Sequence, residues 1–158
     1  MSLAIVWAVA DGTVYGETLS MPTVSRIEVV LANQYRAREA ELKQEFARAG
    51  LVNTHFQFAR VGQPPQNIGL GQDVPADKAR EAIRLAIKYN LGVGLLLPER
   101  LFPPRFITIA SSNYDDTVEY PINQETLAKL QDPALSTDAF HRLYHDLTSA
   151  VLIPKGRH

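Results

Sequence analysis

The sequence predicts an α/β domain, a mixed and partly antiparallel β-sheet packed with helices, with a two-layer α+β sandwich as the alternative arrangement. Short apolar or alternating runs at 55–61, 93–97 and 105–110 are separated by longer stretches whose apolar residues recur at helical spacing. The run 55–61, the helical stretch after Pro75 and the run 93–97 form a βαβ unit, whose strands should be parallel and whose crossover right-handed. Asp11-Gly12 lies between two strand-like runs and suits the positive φ of a hairpin turn, which adds antiparallel strands. No repeat, low-complexity tract or linker divides the chain, so residues 1–158 are expected to form a single globular domain.

The elements follow in order. Leu3–Ala10 and Thr13–Leu19 are the arms of the hairpin, which ends at Met21-Pro22. Ser25-Arg26-Ile27-Glu28 has the form of a capping box, and Ile27, Leu31, Tyr35, Leu42, Phe46 and Ala49 make one apolar stripe behind it. A long helix from about Ser25 to Gly50 is expected, about 36 Å at 1.5 Å per residue. That exceeds the length of an ordinary strand, so one end is expected to project and meet a second chain. Phe56 and Phe58 share one face of the strand at 55–61, and a loop over 62–74 leads to Pro75. Proline suits the start of the next helix, whose inward residues are Ala79, Ala82, Ile83, Ala86 and Ile87 and which Asn90-Leu91-Gly92 ends. Val93–Leu97 reads as a buried strand, Arg105–Ala110 as another, and Thr117–Tyr120 as its antiparallel return. Asn123 and Ser136 are placed to cap the last helices, the first stopping before Pro133 and the second carrying Phe140, Leu143, Tyr144, Leu147 and Val151.

Composition narrows the function. Of 158 residues 46% are apolar, enough for a core without covalent staples, and 16 Lys and Arg against 17 Asp and Glu leave a net charge of −1. The basic residues of Arg36–Arg48 alternate with Glu39, Glu41 and Glu45, so no cationic cluster stands ready to displace counterions, and nucleic acid is not an expected partner. Cysteine is absent, which excludes disulfides, thiolate metal sites and cysteine nucleophiles. No run approaches the roughly 20 apolar residues of a membrane helix, and no Lys or Arg precedes Arg26 to make a charged leader. The expectation is a soluble, cytoplasmic domain that engages no membrane.

Four local patterns carry candidate chemistry. Asp138, His141 and His145 lie on one helical face and hold donors a divalent metal accepts, but the His-Glu-x-x-His motif is missing. The polar face of an amphipathic helix explains them as well, so neither metal nor cofactor is expected. Gly69-x-Gly71 before a helix lacks the third glycine of a dinucleotide loop, and Asp73 and Asp77 would repel a phosphate; Asp73 is read as a local cap. Asp115, Asp116 and Glu119 lack calcium-loop spacing. Ser111-Ser112-Asn113 follows a core strand, at the edge where ligands of parallel sheets gather.

The favoured ligand-binding set is therefore Arg60 and Gln63 after one strand and Ser111, Ser112 and Asn113 after another. Arg60 would anchor an anionic group, and the hydroxyls and amide would orient it. No catalytic set is complete. The sequence reads best as a non-catalytic binding or regulatory module, engaging a protein partner, a second copy of itself or a small polar ligand. A small hydrolase, metal-assisted or serine-based, is the alternative, although the Gly-x-Ser-x-Gly elbow is absent.

Overall fold

Arg26–Leu31 alternates outward Arg26, Glu28 and Val30 with inward Ile27, Val29 and Leu31, which are fully buried. Period two with branched side chains makes this the first strand, β1, of the computed structural model, which describes residues 24–114 and 122–150. The long helix expected from Ser25 is thus corrected: its first turn is a strand. The capping-box residues do other work, the Ser25 hydroxyl donating to the Arg105 carbonyl at 3.1 Å and Glu28 pairing with Arg26 at 2.7 Å. A 3-10 turn, Asn33–Arg38, leads into helix α1, Glu39–Arg48, which is ended by Gly50 at φ +78°. Ten helical residues span about 15 Å. No end projects, and the reason the sequence offered for a homodimer goes with it.

The remaining strands are β2 (Thr54–Phe58), β3 (Asn67–Leu70), β4 (Leu95–Leu97) and β5 (Phe106–Ile109). Helix α2 (Ala76–Asn90) joins β3 to β4; α3 (Gln124–Leu130) and α4 (Thr137–Thr148) close the chain's described part. Asn123 and Ser136 cap α3 and α4 as the sequence predicts, accepting from Thr126 N and Ala139 N. Asp73 is no cap: Pro75 precedes α2, and the Ala76 amide donates to Thr137 Oγ1 at 3.3 Å. The hairpin expected before residue 20, the return strand at 117–120 and the acidic residues at 115–119 lie outside the described residues.

The mixed sheet has the order β2-β1-β5-β3-β4. β1 is parallel to β2 and to β5, β3 is parallel to β4, and β3 meets β5 antiparallel. Two βαβ units therefore exist, β1-α1-β2 and β3-α2-β4, and not the one expected between 55–61 and 93–97. The loop read over 62–74 contains the missing strand, β3, in which all four residues are buried. The two units run in opposite directions. Turning a right-handed unit half a turn about the sheet normal leaves its helix on the same face, so both helices share one layer. Phe46 of α1 accordingly stacks on Tyr89 of α2 at 6.5 Å, and Lys88 reaches Glu45 at 2.7 Å. Burial alone would raise the Glu45 pKa, but hydrogen bonds from Lys88 and Tyr89 and the nearby charges of Lys88 and Arg84 outweigh it and hold it below the ordinary range.

The core joins Ile27, Val29, Leu31, Ile68, Leu70, Ile107 and Ile109 to residues of all four described helices, Leu127 and Leu130 of α3 and Phe140 and Tyr144 of α4 among them. On the other face Phe102 covers Gly69, where a Cβ would overlap its ring, and stacks on Phe106 at 5.8 Å. Gly71 lies against the carbonyls of Pro103 and Pro104, and a Cβ there would overlap both. Close packing, by the Phe102 ring at Gly69 and by backbone at Gly71, thus accounts for the glycines of the phosphate-like loop.

Tyr144 is fully buried, and its hydroxyl donates to the Leu97 carbonyl at 2.8 Å, with the Ile68 carbonyl at 3.3 Å. Tyr144→Phe keeps the ring and removes the donor, and is expected to cost about 1–2 kcal/mol in urea denaturation with an unchanged dependence on urea concentration.

Candidate functional site

Because β3 and β4 oppose the other strands, the edge where β1, β2 and β5 end is also the edge where β3 and β4 begin. Residues 32–36, 59–63, 66–67 and 110–114 leave or enter the sheet there, as does the end of α2. The α2 terminus is tied in by two amides: Gln66 Nε2 donates to the Asn90 carbonyl at 3.2 Å, and Asn90 Nδ2 to the Val30 carbonyl at 3.4 Å.

The expected ligand-binding residues fall on this edge. β2 and β5 are both parallel to β1, so Arg60 and Gln63 leave on the same side as Ser111, Ser112 and Asn113. β1 lies between them, which separates the two groups by about 10 Å at the strand ends. Arg60, Gln63, Ser112 and Asn113 are exposed, and among the described residues no hydrogen bond or ion pair engages the side chains of Arg60, Gln63 or Ser112. Arg36 joins them from the 3-10 turn, bonded to Asn33 at 3.0 Å with its guanidinium 5.3 Å above the Phe58 ring. It too forms no ion pair with a described carboxylate. This half of the edge is cationic.

Ser111 has a different job. Ala110 holds a left-handed backbone, φ +60°, and turns the chain sharply out of β5. The side chain of Asn67, 1% exposed, grips the turn on both sides: Nδ2 donates to the Ser111 carbonyl at 3.0 Å and Oδ1 accepts from the Ser111 amide at 2.8 Å. The Asn67 carbonyl takes the Ala110 amide at 2.8 Å. One asparagine thus extends the β3–β5 ladder past the last strand residue. The Ser111 hydroxyl accepts from the Asn113 amide at 3.4 Å, a local turn contact.

A serine nucleophile needs a histidine beside it. Val74 follows β3 and so belongs to the opposite edge of the sheet, and His141 is bonded there, to Val74 and Glu99. His55 is exposed on the outer face of β2, opposite Glu28. Neither bonds to Ser111 or Ser112. Of the Asp138, His141 and His145 face, His141 has both ring nitrogens engaged within the fold, and no three described side chains converge as a metal set.

Three features of the edge have no counterpart in the sequence reading. Val61 is 91% exposed and Leu91 73%. Leu91 also adopts φ +62°, a conformation that favours glycine, although Gly92 follows it directly. Asn90 is 97% buried by its 3% exposure, yet its Oδ1 has no hydrogen-bond partner among the described residues. Flipping the amide would turn that oxygen against the Val30 carbonyl, so the orientation is fixed. Only the Asn90-Leu91-Gly92 stop signal hints at any of this in the sequence.

Comparison with family models, curated proteins and solved structures yields no match for the chain.

Asn67→Leu leaves both the amide and carbonyl of Ser111 without their partner. The expected loss is about 2–3 kcal/mol in chemical denaturation, with hydrogen exchange at Ser111 rising ahead of the β5 amides.

Proposed function

We propose that the chain is a non-catalytic binding module that docks a protein partner through the sheet edge formed by 59–63, 90–92 and 111–114. Leu91 carries this reading. A leucine at positive φ costs about 1 kcal/mol relative to glycine, and an exposed leucine recovers nothing from the core. A side chain held out at a conformational cost belongs to positions that act on something else. Leu91 and Val61 supply exposed apolar side chains along this edge, Arg60 and Arg36 positive charge, and Ser112, Asn113 and Gln63 hydrogen-bonding groups. Exposed apolar side chains spread along an edge among polar ones suit a protein surface better than a small polar ligand. The unpaired arginines favour a partner that presents carboxylates.

The experiment is affinity capture with the wild-type chain, Leu91→Asp, Val61→Asp and Val52→Asp. Val52 is 66% exposed and precedes β2, on the opposite edge, and so serves as the control. Aspartate tolerates the left-handed backbone, which keeps Leu91→Asp folded. A partner held by wild type and by Val52→Asp, and weakened about tenfold or more by both edge variants, supports the reading. Equal capture by all four, or none by the wild type, rejects it.

Stability should move the other way. Leu91→Gly is expected to raise the unfolding free energy by up to about 1 kcal/mol, read from the urea midpoint, while weakening the same partner.

A further inference from the structure

At the opposite edge of the sheet, we infer that His141 is a proton-operated clamp that ties α4 to the β4–β5 connection and to the segment before α2. The His141 side chain is 13% exposed and that of Glu99 14%. Nδ1 meets the Glu99 carboxylate, and Nε2 meets the Val74 carbonyl at 2.6 Å. Glu99 stands in the short 3-10 turn Glu99–Leu101 after β4, and Val74 lies just before α2. Both partners accept; a neutral imidazole has one N–H and can serve only one of them. The two bonds together require one extra proton, held between the ring and the carboxylate. When it leaves, one nitrogen turns a lone pair toward an oxygen, and that arm of the clamp opens.

The surroundings hold the proton in place. Burial opposes the charge on His141, but the bond to Glu99, the Val74 carbonyl and the charges of Glu99 and Asp73 outweigh it, so the ring titrates above the ordinary histidine value. From α4 itself Asp138, Arg142, His145 and Asp146 line the hollow of about 420 Å³ that His141 faces. The sign follows. The folded state binds the proton more tightly than the unfolded chain does, so the stabilisation is complete on the acid side of the ordinary histidine value and is lost as pH rises through the folded one.

The other ties of α4 do not titrate in this range. Thr137 accepts the Ala76 amide, and the buried Tyr144 hydroxyl, whose pKa burial raises further, stays bonded to Leu97. Deprotonation therefore loosens α4 around His141, between the ties at Thr137 and Tyr144.

The test follows the ring nitrogens of the full chain by NMR between about pH 6 and about pH 9, with hydrogen exchange of α4, in wild type, His141→Gln and Glu99→Gln. The expected result is a His141 that titrates above the ordinary histidine value and falls below its wild-type value in Glu99→Gln. Protection of the α4 amides, corrected for base catalysis, should drop severalfold through that titration in wild type and stay level in His141→Gln. A His141 that titrates at or below the ordinary histidine value overturns the inference, as does protection that falls equally in wild type and His141→Gln. If His141→Gln does not fold, the wild-type titration and its response to Glu99→Gln decide.

Discussion

The antiparallel pairing of β5 with β3 governs the rest of the molecule. β5 meets β1 as a parallel neighbour and β3 as an antiparallel one, so it joins two βαβ units that point in opposite directions. Reversing one unit brings strand ends and strand beginnings to a common edge. It also leaves α1 and α2 in one layer, where Glu45 can reach Lys88 and Tyr89. With two parallel units the loops after β3 and β4 would join those after β1, β2 and β5, and His141 would lie beside the Ser111 turn. The inversion separates them: one edge carries Val61, Leu91 and the unpaired arginines, the other the partly buried pair of His141 and Glu99.

The pairing has to be secured where β5 ends, because the chain turns away at Ala110 through a conformation that alanine adopts at a cost. Asn67 secures it from the side, satisfying the amide and carbonyl of Ser111 while its backbone takes Ala110. The same edge holds a second left-handed residue, Leu91, with no comparable tie on its side chain. The contrast separates a strain that the fold compensates locally from one that it does not.

Much of the architecture is legible in the residues. Pro75 and the Asn90-Leu91-Gly92 stop bound α2, Asn123 and Ser136 cap the last helices, and the runs 95–97 and 106–109 are strands. Two strands escape for identifiable reasons. Positions 27 and 31, four residues apart, fit the spacing of one helical turn as well as a period of two, and only Val29, with its branched neighbour Val30, distinguishes a strand from the start of the following helix. Asn67–Leu70 is four residues long, contains a glycine and is buried on both faces, so it shows neither alternation nor strong strand propensity. The shared edge of Arg60 and Ser111–Asn113 follows from strand direction alone and was within reach. The grip of Asn67, the tie of Asn90 to β1 and the bonding of His141 depend on residues 44, 60 and 42 to 67 positions away, which no local pattern encodes.

The place of β5 also sets an order of assembly. Each βαβ unit closes within a contiguous stretch, 26–58 and 67–97, whereas the strand that lies between them comes last. A chain emerging from the ribosome can fold both halves early, and each then presents a naked inner strand, β1 or β3, with its amides and carbonyls unpaired. Residues 106–109 fill both vacancies in a single insertion. Until they arrive, the two halves of one molecule, or of two neighbouring ones, are free to pair with the wrong edge, so the period between the synthesis of β4 and that of β5 is when this fold is most open to aggregation.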